Sequence, residues 1–451
     1  MLAQFSKHIN THFSFLKDKK ILIAISGGVD SVVLTHLLNQ LNFTTSLAHC
    51  NFRLRGKDSD QDELFVKNLG KELQVSVFTK SFETEKFAKQ ERLSIQLAAR
   101  KLRYDWFNEL IKEHKLDYIV TGHHADDNLE TFLINTIRGT GLDGLTGIPK
   151  KNKNIIRPLL SFSREQIEDY AKEKEITWRE DSSNAETKYL RNKIRHDVIP
   201  TLKELNPSLL TSFGQTIKNL KGSRQIIDDS IEKISNEIVI PADPPIGEAE
   251  AGIQKIDIKK LVTLNNPKAY LYELLKQYGF TEWNDVADLL DAQSGKQVIS
   301  KTHRLLKNRG FLLLTELQSE KVEGKEYKIV EKDEDFQVDN FKIRLTYSKI
   351  HDSPETSGRS TQYLIYLDKD KLKFPLTVRK WKNGDYFYPL GMQGKKKLSK
   401  FFKDEKMSIL DKEKMWLLCS ENNIVWVVGK RLDERYKIKD TTTNILKIEI
   451  L

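Results

Sequence analysis

Over its first 140 residues the chain alternates short solid apolar runs with helical stripes. Ile21-Leu22-Ile23-Ala24-Ile25 is unbroken and mostly β-branched, as in a strand buried on both faces. Val32-Val33-Leu34 with Leu37-Leu38 reads as the buried helix that follows it. The same logic predicts a second strand over 44–49 and a third over 75–79. Between them lies a helix over 58–70, with Leu64, Leu69 and Leu73 spaced for one face. A long helix over 94–114 leads to a fourth strand over 118–122. That strand runs into His123-His124-Ala125-Asp126-Asp127-Asn128-Leu129-Glu130, which opens another helix. Strands alternating with helices predict an α/β domain on a doubly wound parallel sheet. The loops after strands one, two and four then share one sheet edge, where such folds bind ligands.

Beyond this domain the pattern changes. Residues 206–238 read as a long helical stretch, ended by the linker signal Pro241-Ala242-Asp243-Pro244-Pro245-Ile246-Gly247. Helices are expected over 257–261, 267–278 and 281–292, then strands within 297–315. The mixed-charge run 320–334 reads as a solvated hairpin or loop. Residues 351–362 form a polar boundary. Strands are expected at 416–419 and 424–428, and Leu398, Phe401 and Phe402 can bury one helix face. The expected division is an N-terminal domain over 1–215, a mostly helical middle domain over 216–350 and a small α+β domain over 363–451.

Composition narrows the class. At 451 residues, 39% hydrophobic and mean hydropathy −0.52, the chain reads as a soluble globular protein of two or three domains. No segment is apolar enough for a signal peptide or a bilayer span, so a cytoplasmic protein with no membrane partner is expected. Cys50 and Cys419 are the two cysteines, which excludes a disulfide framework or a four-cysteine zinc site. Net charge is +10; residues 376–451 carry 17 Lys+Arg against 10 Asp+Glu, so +7 of it lies there. That allows a nucleic-acid partner.

The candidate chemistry centres on Ser26-Gly27-Gly28-Val29-Asp30-Ser31, between the first strand and its helix. Glycines let successive N–H groups form an anion nest at a helix N-terminus, and the serines add hydroxyl donors. The loop is not a Walker A loop, since it lacks the lysine and the spacing. Asp30 would repel phosphates unless a Mg²⁺ lay between them. Otherwise it is the N-cap of a tight βα turn. Asp127 and Glu130, three apart, and Asp126 and Glu130, four apart, can share a helix face. Adjacent His123 and His124 point apart on a strand end, which favours a structural or adenine-lining role over a metal pair. Lys188, Arg191 and Arg195 form a basic stripe opposite Leu190, Ile194 and Val198, suited either to RNA phosphates or to solvent.

S-G-G-V-D-S resembles the PP-loop of ATP pyrophosphatases. His49-Cys50-Asn51-Phe52-Arg53-Leu54-Arg55, Ala98-Ala99-Arg100-Lys101-Leu102-Arg103-Tyr104, the His123–Glu130 block and Arg157-Pro158-Leu159-Leu160 follow in order. Glu180-Asp181-Ser182-Ser183-Asn184 and Arg191-Asn192-Lys193-Ile194-Arg195 complete the set. Together they resemble the tRNA(Ile)-lysidine synthetase family. The resemblance implies an adenine nucleotide alpha hydrolase-like fold with ATP and Mg²⁺. It implies free L-lysine and an isoleucine tRNA with a CAU anticodon as further substrates. ATP would adenylate C2 of the wobble cytidine, and lysine would displace AMP. On that reading Ser26, Gly27, Gly28, Val29, Asp30 and Ser31 bind ATP, with Asp30 acting through Mg²⁺. Asp127 and Glu130 hold the lysine ammonium, Arg103 pairs with its carboxylate, and His49, Asn51, His123 and Asp126 support the site. Arg191, Arg195, Lys395, Lys396 and Lys397 contact tRNA. The middle domain positions tRNA, and a homodimer is left open. The competing readings are a PP-loop tRNA thiolase, for which Cys50 lacks a nearby partner, or an amidotransferase-type synthetase, for which no second nucleophile motif appears, and an RNA-binding protein with a degenerate nucleotide site.

Overall fold

The computed structural model describes residues 1–179, 190–241, 253–317, 325–339, 341–349 and 363–451. They form two compact units, Met1–Asp228 and Asp229–Leu451. Among the described residues no helix is long and apolar enough to cross a membrane.

The first unit is built on a six-stranded sheet: β1 (Lys20–Ala24), β2 (Thr44–Asn51), β3 (Ser76–Ser81), β4 (Tyr118–Thr121), β5 (Lys151–Asn152) and β6 (Ile155–Ile156). Their order is β3-β2-β1-β4-β6-β5, parallel except for the β5–β6 pair. The chain moves outward from β1 in one direction through β2 and β3, then returns to the other side at β4. The crevice of such a sheet opens at that reversal, beyond the carboxyl ends of β1 and β4. Helices α1 (Leu2–His12), α2 (Val29–Gln40), α3 (Lys57–Glu72), α4 (Thr84–Glu91), α5 (Ile95–Glu113), α6 (Ala125–Arg138), α7 (Leu142–Leu145) and α8 (Arg164–Glu173) accompany it. Ile21, Leu22 and Ile23 are fully buried, as a central strand requires.

Two sequence expectations fail here for geometric reasons. Leu64 is 59% exposed, whereas α3 buries Ser59, Asp62, Val66 and Leu69. That three-and-four series carries a polar pair inward, because Asp62 accepts from Arg55 at 2.7 Å and from Arg179 at 3.0 Å. The apolar stripe through Leu190, Ile194 and Val198 is also not a single buried face. Ile194 is buried, but Leu190 and Val198 are 40% and 38% exposed. Between α9 (Leu190–Lys193) and α10 (Ile199–Leu205), Ile194–Val198 is a π-helical turn. Its wider winding shifts the register of the face. Lys188 and the motif at 180–184 lie outside the described residues.

Helix α11 (Leu209–Ile238) leads from the first unit into the second. There, helices Ile258–Leu261, Pro267–Leu275 and Trp283–Asp288 pack with a five-stranded antiparallel sheet that includes His303–Asn308 and Phe311–Glu316. The C-terminal part holds antiparallel sheets of five and four strands sharing one core, which includes Val378, Leu418, Leu345 and Ile448. The run read as a solvated hairpin or loop holds a strand that is not wholly solvated: Glu326–Ile329 pairs with Leu376–Lys380, and Ile329 is fully buried. Alternation of Tyr327 and Ile329 with charged residues is a period-two signal that the charge density obscured. The rest of the linker after Pro241 and the boundary at 351–362 fall outside the described residues.

Candidate active site

The glycine loop leaves β1 at the crevice. Gly27 has φ +96, a conformation that disfavours any residue with a Cβ, and Gly28 is the extended N-cap of α2. Ser31 Oγ donates to the Gly28 carbonyl at 2.9 Å and accepts from the Ser26 N–H at 3.2 Å. Ser26 Oγ lies 3.3 Å from Ser31 Oγ, so the two hydroxyls converge. Val29 is buried and offers the loop only its backbone. From outside, the Arg179 N–H donates to the Gly27 carbonyl at 2.9 Å. The result is a pinned turn whose N–H groups head a helix, a ready anion site.

The two supporting residues from β2 play structural parts. His49 Nδ1 sits 3.0 Å from the Ile25 carbonyl, and burial pushes its pKa down, so a neutral imidazole braces the end of β1. Asn51 donates to Asp60 and Glu63, both at 3.0 Å, and accepts from the Arg53 N–H, which organises the loop after β2.

Across the crevice, Gly122 ends β4 against the first turn of α2. A Cβ there would lie 3.1 Å from the Asp30 carbonyl carbon and 3.2 Å from Ser31 N. This contact brings α6 beside the loop. His124, 1% exposed, stands between the carboxylates: Nε2 is 3.7 Å from Asp30 and 3.4 Å from Asp127, and Nδ1 is 3.6 Å from Asp126. Burial opposes its protonation, but Asp126, Asp127 and Asp30 outweigh it and raise the pKa. Burial raises the Asp30 pKa in turn, against the pull of His124. Asp127 and Asp126 are both held below the usual range: although burial works against their ionisation, His124 and further cations or donors outweigh it. His123 instead meets Thr121 Oγ1 at 2.8 Å, and burial pushes its pKa down to about 4.

The three carboxylates of α6, Asp126, Asp127 and Glu130, have resident hydrogen-bonding partners. Asp126 takes Lys203 Nζ at 2.7 Å and the Arg164 N–H at 2.8 Å. Glu130, 1% exposed, takes Arg191 Nε at 2.7 Å and Arg195 Nε at 2.6 Å; both arginines also reach Asp127 at 3.2 Å. The structure therefore joins Asp127, Glu130, Arg191 and Arg195 into one cluster, although the sequence suggested two separate sites. Arg103 lies over the Phe52 ring at 5.3 Å and pairs with no carboxylate among the described residues. Lys203 was not singled out by sequence, and His124 was read there only as one of two adjacent histidines with a structural or adenine-lining role. The signal for His124 was its N-cap position, which puts residues two and three further on around its ring.

The comparisons with known proteins agree along the whole chain. A PP-loop domain family model matches residues 1–202, a TilS substrate binding domain 249–317, and a TilS substrate C-terminal domain 376–450. The tRNA(Ile)-lysidine synthase of Parabacteroides distasonis is 38% identical over 453 residues, covering 100% of both chains. The chain belongs to the tRNA(Ile)-lysidine synthase family. Further lysidine synthases so named are similar: that of Bacteroides thetaiotaomicron is 37% identical, covering 99% of this chain and 98% of its own. That of Porphyromonas gingivalis W83 is 36% identical, covering 94% and 92%. The chain is thus a lysidine synthase family member with a PP-loop α/β domain, and an ATP-using ligase by that membership. The thiolase alternative loses ground on the thiols as well: burial pushes Cys50 up to about 12 and Cys419 up to about 11, far from a reactive thiolate.

In the C-terminal part, Leu398, Phe401 and Phe402 are buried as the sequence suggested. The lysines beside them differ. Lys396 Nζ is tied to Asp404 at 2.7 Å, Lys395 sits over the Tyr386 ring at 5.3 Å, and Lys397 is exposed. Arg379 forms a two-pronged pair with Asp385 at 2.8 and 2.9 Å, which fixes the turn after strand Leu376–Lys380.

Proposed function

We infer that the chain ligates lysine to C2 of the wobble cytidine of an isoleucine tRNA with a CAU anticodon. ATP is converted to AMP and pyrophosphate through an adenylated cytidine. The observation that carries this is the juxtaposition, across Gly122, of a phosphate-type glycine turn and a helix start bearing Asp126, Asp127 and Glu130. One side suits a nucleotide and the other an ammonium group.

Ser26, Gly27, Gly28 and Ser31 present donors to the ATP phosphates, and Val29 adds its N–H. They hold the α-phosphorus for attack by the cytidine O2. Asp30 Oδ1 is a buried oxygen with no hydrogen-bond partner among the described residues. A hard oxygen that receives no hydrogen bond, next to a phosphate nest, fits a Mg²⁺ held by one carboxylate together with substrate phosphates. Such an ion supplies charge neutralisation at those phosphates. Asp127 and Glu130 receive the lysine ammonium and accept its proton, so that the free amine attacks C2 and AMP leaves with its electron pair. Arg103, paired with no carboxylate among the described residues and stacked on Phe52, receives the lysine carboxylate through its fork. His49, Asn51, His123 and Asp126 hold these groups in place. Residues 1–215 form the catalytic domain, 216–350 position the tRNA, and 363–451 grip it through the exposed lysines. Work on tRNA places the enzyme in the cytoplasm.

The test is to incubate the purified protein with ATP, Mg²⁺, lysine and isoleucine tRNA carrying either a CAU or a GAU anticodon. AMP, pyrophosphate and a lysine-sized mass gain at the wobble nucleoside are expected only with CAU and only with lysine. Turnover that needs a sulfur donor, or none at all, refutes the reading.

A further inference from the structure

The acidic start of α6 is already electrically closed. Asp30, Asp126, Asp127 and Glu130 face His124, Lys203, Arg191 and Arg195, four carboxylates against four groups able to carry positive charge. Glu130 is 1% exposed, and Arg191 and Arg195 between them occupy both of its oxygens. An ammonium entering this arrangement would find no uncompensated carboxylate, and burying an unpaired extra charge there is costly. The two arginines differ in accessibility: the Arg191 side chain is 44% exposed and that of Arg195 22%. Both sit on the segment that includes the π-helical turn Ile194–Val198, a winding that can revert to α-helix by moving its residues around the axis.

We propose that Arg191 and Arg195 are resident counter-cations of the amino-acid site, displaced from Asp127 and Glu130 by the substrate ammonium. The freed guanidiniums then become available to a substrate phosphate. Lysine binding and phosphate contact are thereby coupled through one exchange of partners. The inference rests on Asp127 and Glu130 being the ammonium site.

Lysine binding is measured by calorimetry on the full chain without ATP or tRNA. Arg191→Ala removes the more exposed competitor and is expected to lower the lysine Kd about three- to fivefold, the range of a partly exposed pair. In the same enzyme, turnover with tRNA falls, because the guanidinium is missing when phosphate must be held. A second readout uses the unmutated protein: a dicarbonyl reagent specific for arginine should label Arg191 faster when lysine is added, followed by mass spectrometry. An unchanged or higher Kd in Arg191→Ala, or labelling that lysine slows or leaves unaltered, overturns the exchange. Asp127→Asn separates the causes. If it leaves lysine affinity intact, the ammonium site itself is misassigned. If it weakens binding while Arg191→Ala fails to tighten it, only the exchange is wrong.

Discussion

Gly122 and Asp30 meet backbone to backbone: a Cβ on Gly122 would stand 3.1 Å from the Asp30 carbonyl carbon. The end of β4 and the first turn of α2 are therefore in contact through a residue that must have no side chain. Gly122→Ala cannot be absorbed by a flexible side chain, because the opposing atoms are backbone. It is expected to destabilise the first unit by about 1–3 kcal/mol and to push the glycine turn away from α6. Urea unfolding followed alongside ATP-dependent AMP release checks this. The loss of turnover should exceed what the unfolded fraction accounts for.

His124 predicts a pH dependence of stability. Its pKa is raised in the folded protein despite burial, because Asp126, Asp127 and Asp30 surround it. A group raised above its unfolded value, about 6.5, stabilises fully below that pH, and the contribution is lost as pH rises through the folded pKa. His124→Asn leaves the carboxylates one cation short and should cost about 3 kcal/mol at pH 6. The gap between variant and parent should narrow as pH rises above about 6.5 and through the folded pKa. Denaturant titrations across a pH series measure it, and a gap that widens with pH would contradict the assignment.

The lysines of the C-terminal part should not act alike on RNA. Lys395 and Lys397 are exposed, whereas Lys396 is committed to Asp404 at 2.7 Å. Removing both Lys395 and Lys397 is expected to reduce the log–log salt slope of tRNA binding by about 1.8, at roughly 0.9 for each phosphate contact. Lys396→Ala should change it little. Filter binding across a salt series distinguishes them.

Much of the first unit was legible because its chemistry is local. The run Ile21–Ile25 followed by Ser26, Gly27 and Gly28 announces a buried strand and a turn that needs positive φ, and Gly27 adopts it. Leu64 misled for the opposite reason. Its spacing was helical, but the buried side of α3 was chosen by Arg55 and Arg179 pulling Asp62 inward, and these lie 7 and 117 residues away.

The basic stripe shows where the sequence stops. Charge and spacing determined that residues 190–198 would carry arginines on a helical segment, that a glycine turn would meet a helix N-terminus, and that acids would open α6. Whether those arginines faced solvent or the acids was decided by folding. A charged side chain settles where its opposite charge is buried, and that place is set by contacts between segments some 60 residues apart, Glu130 with Arg191 and Arg195.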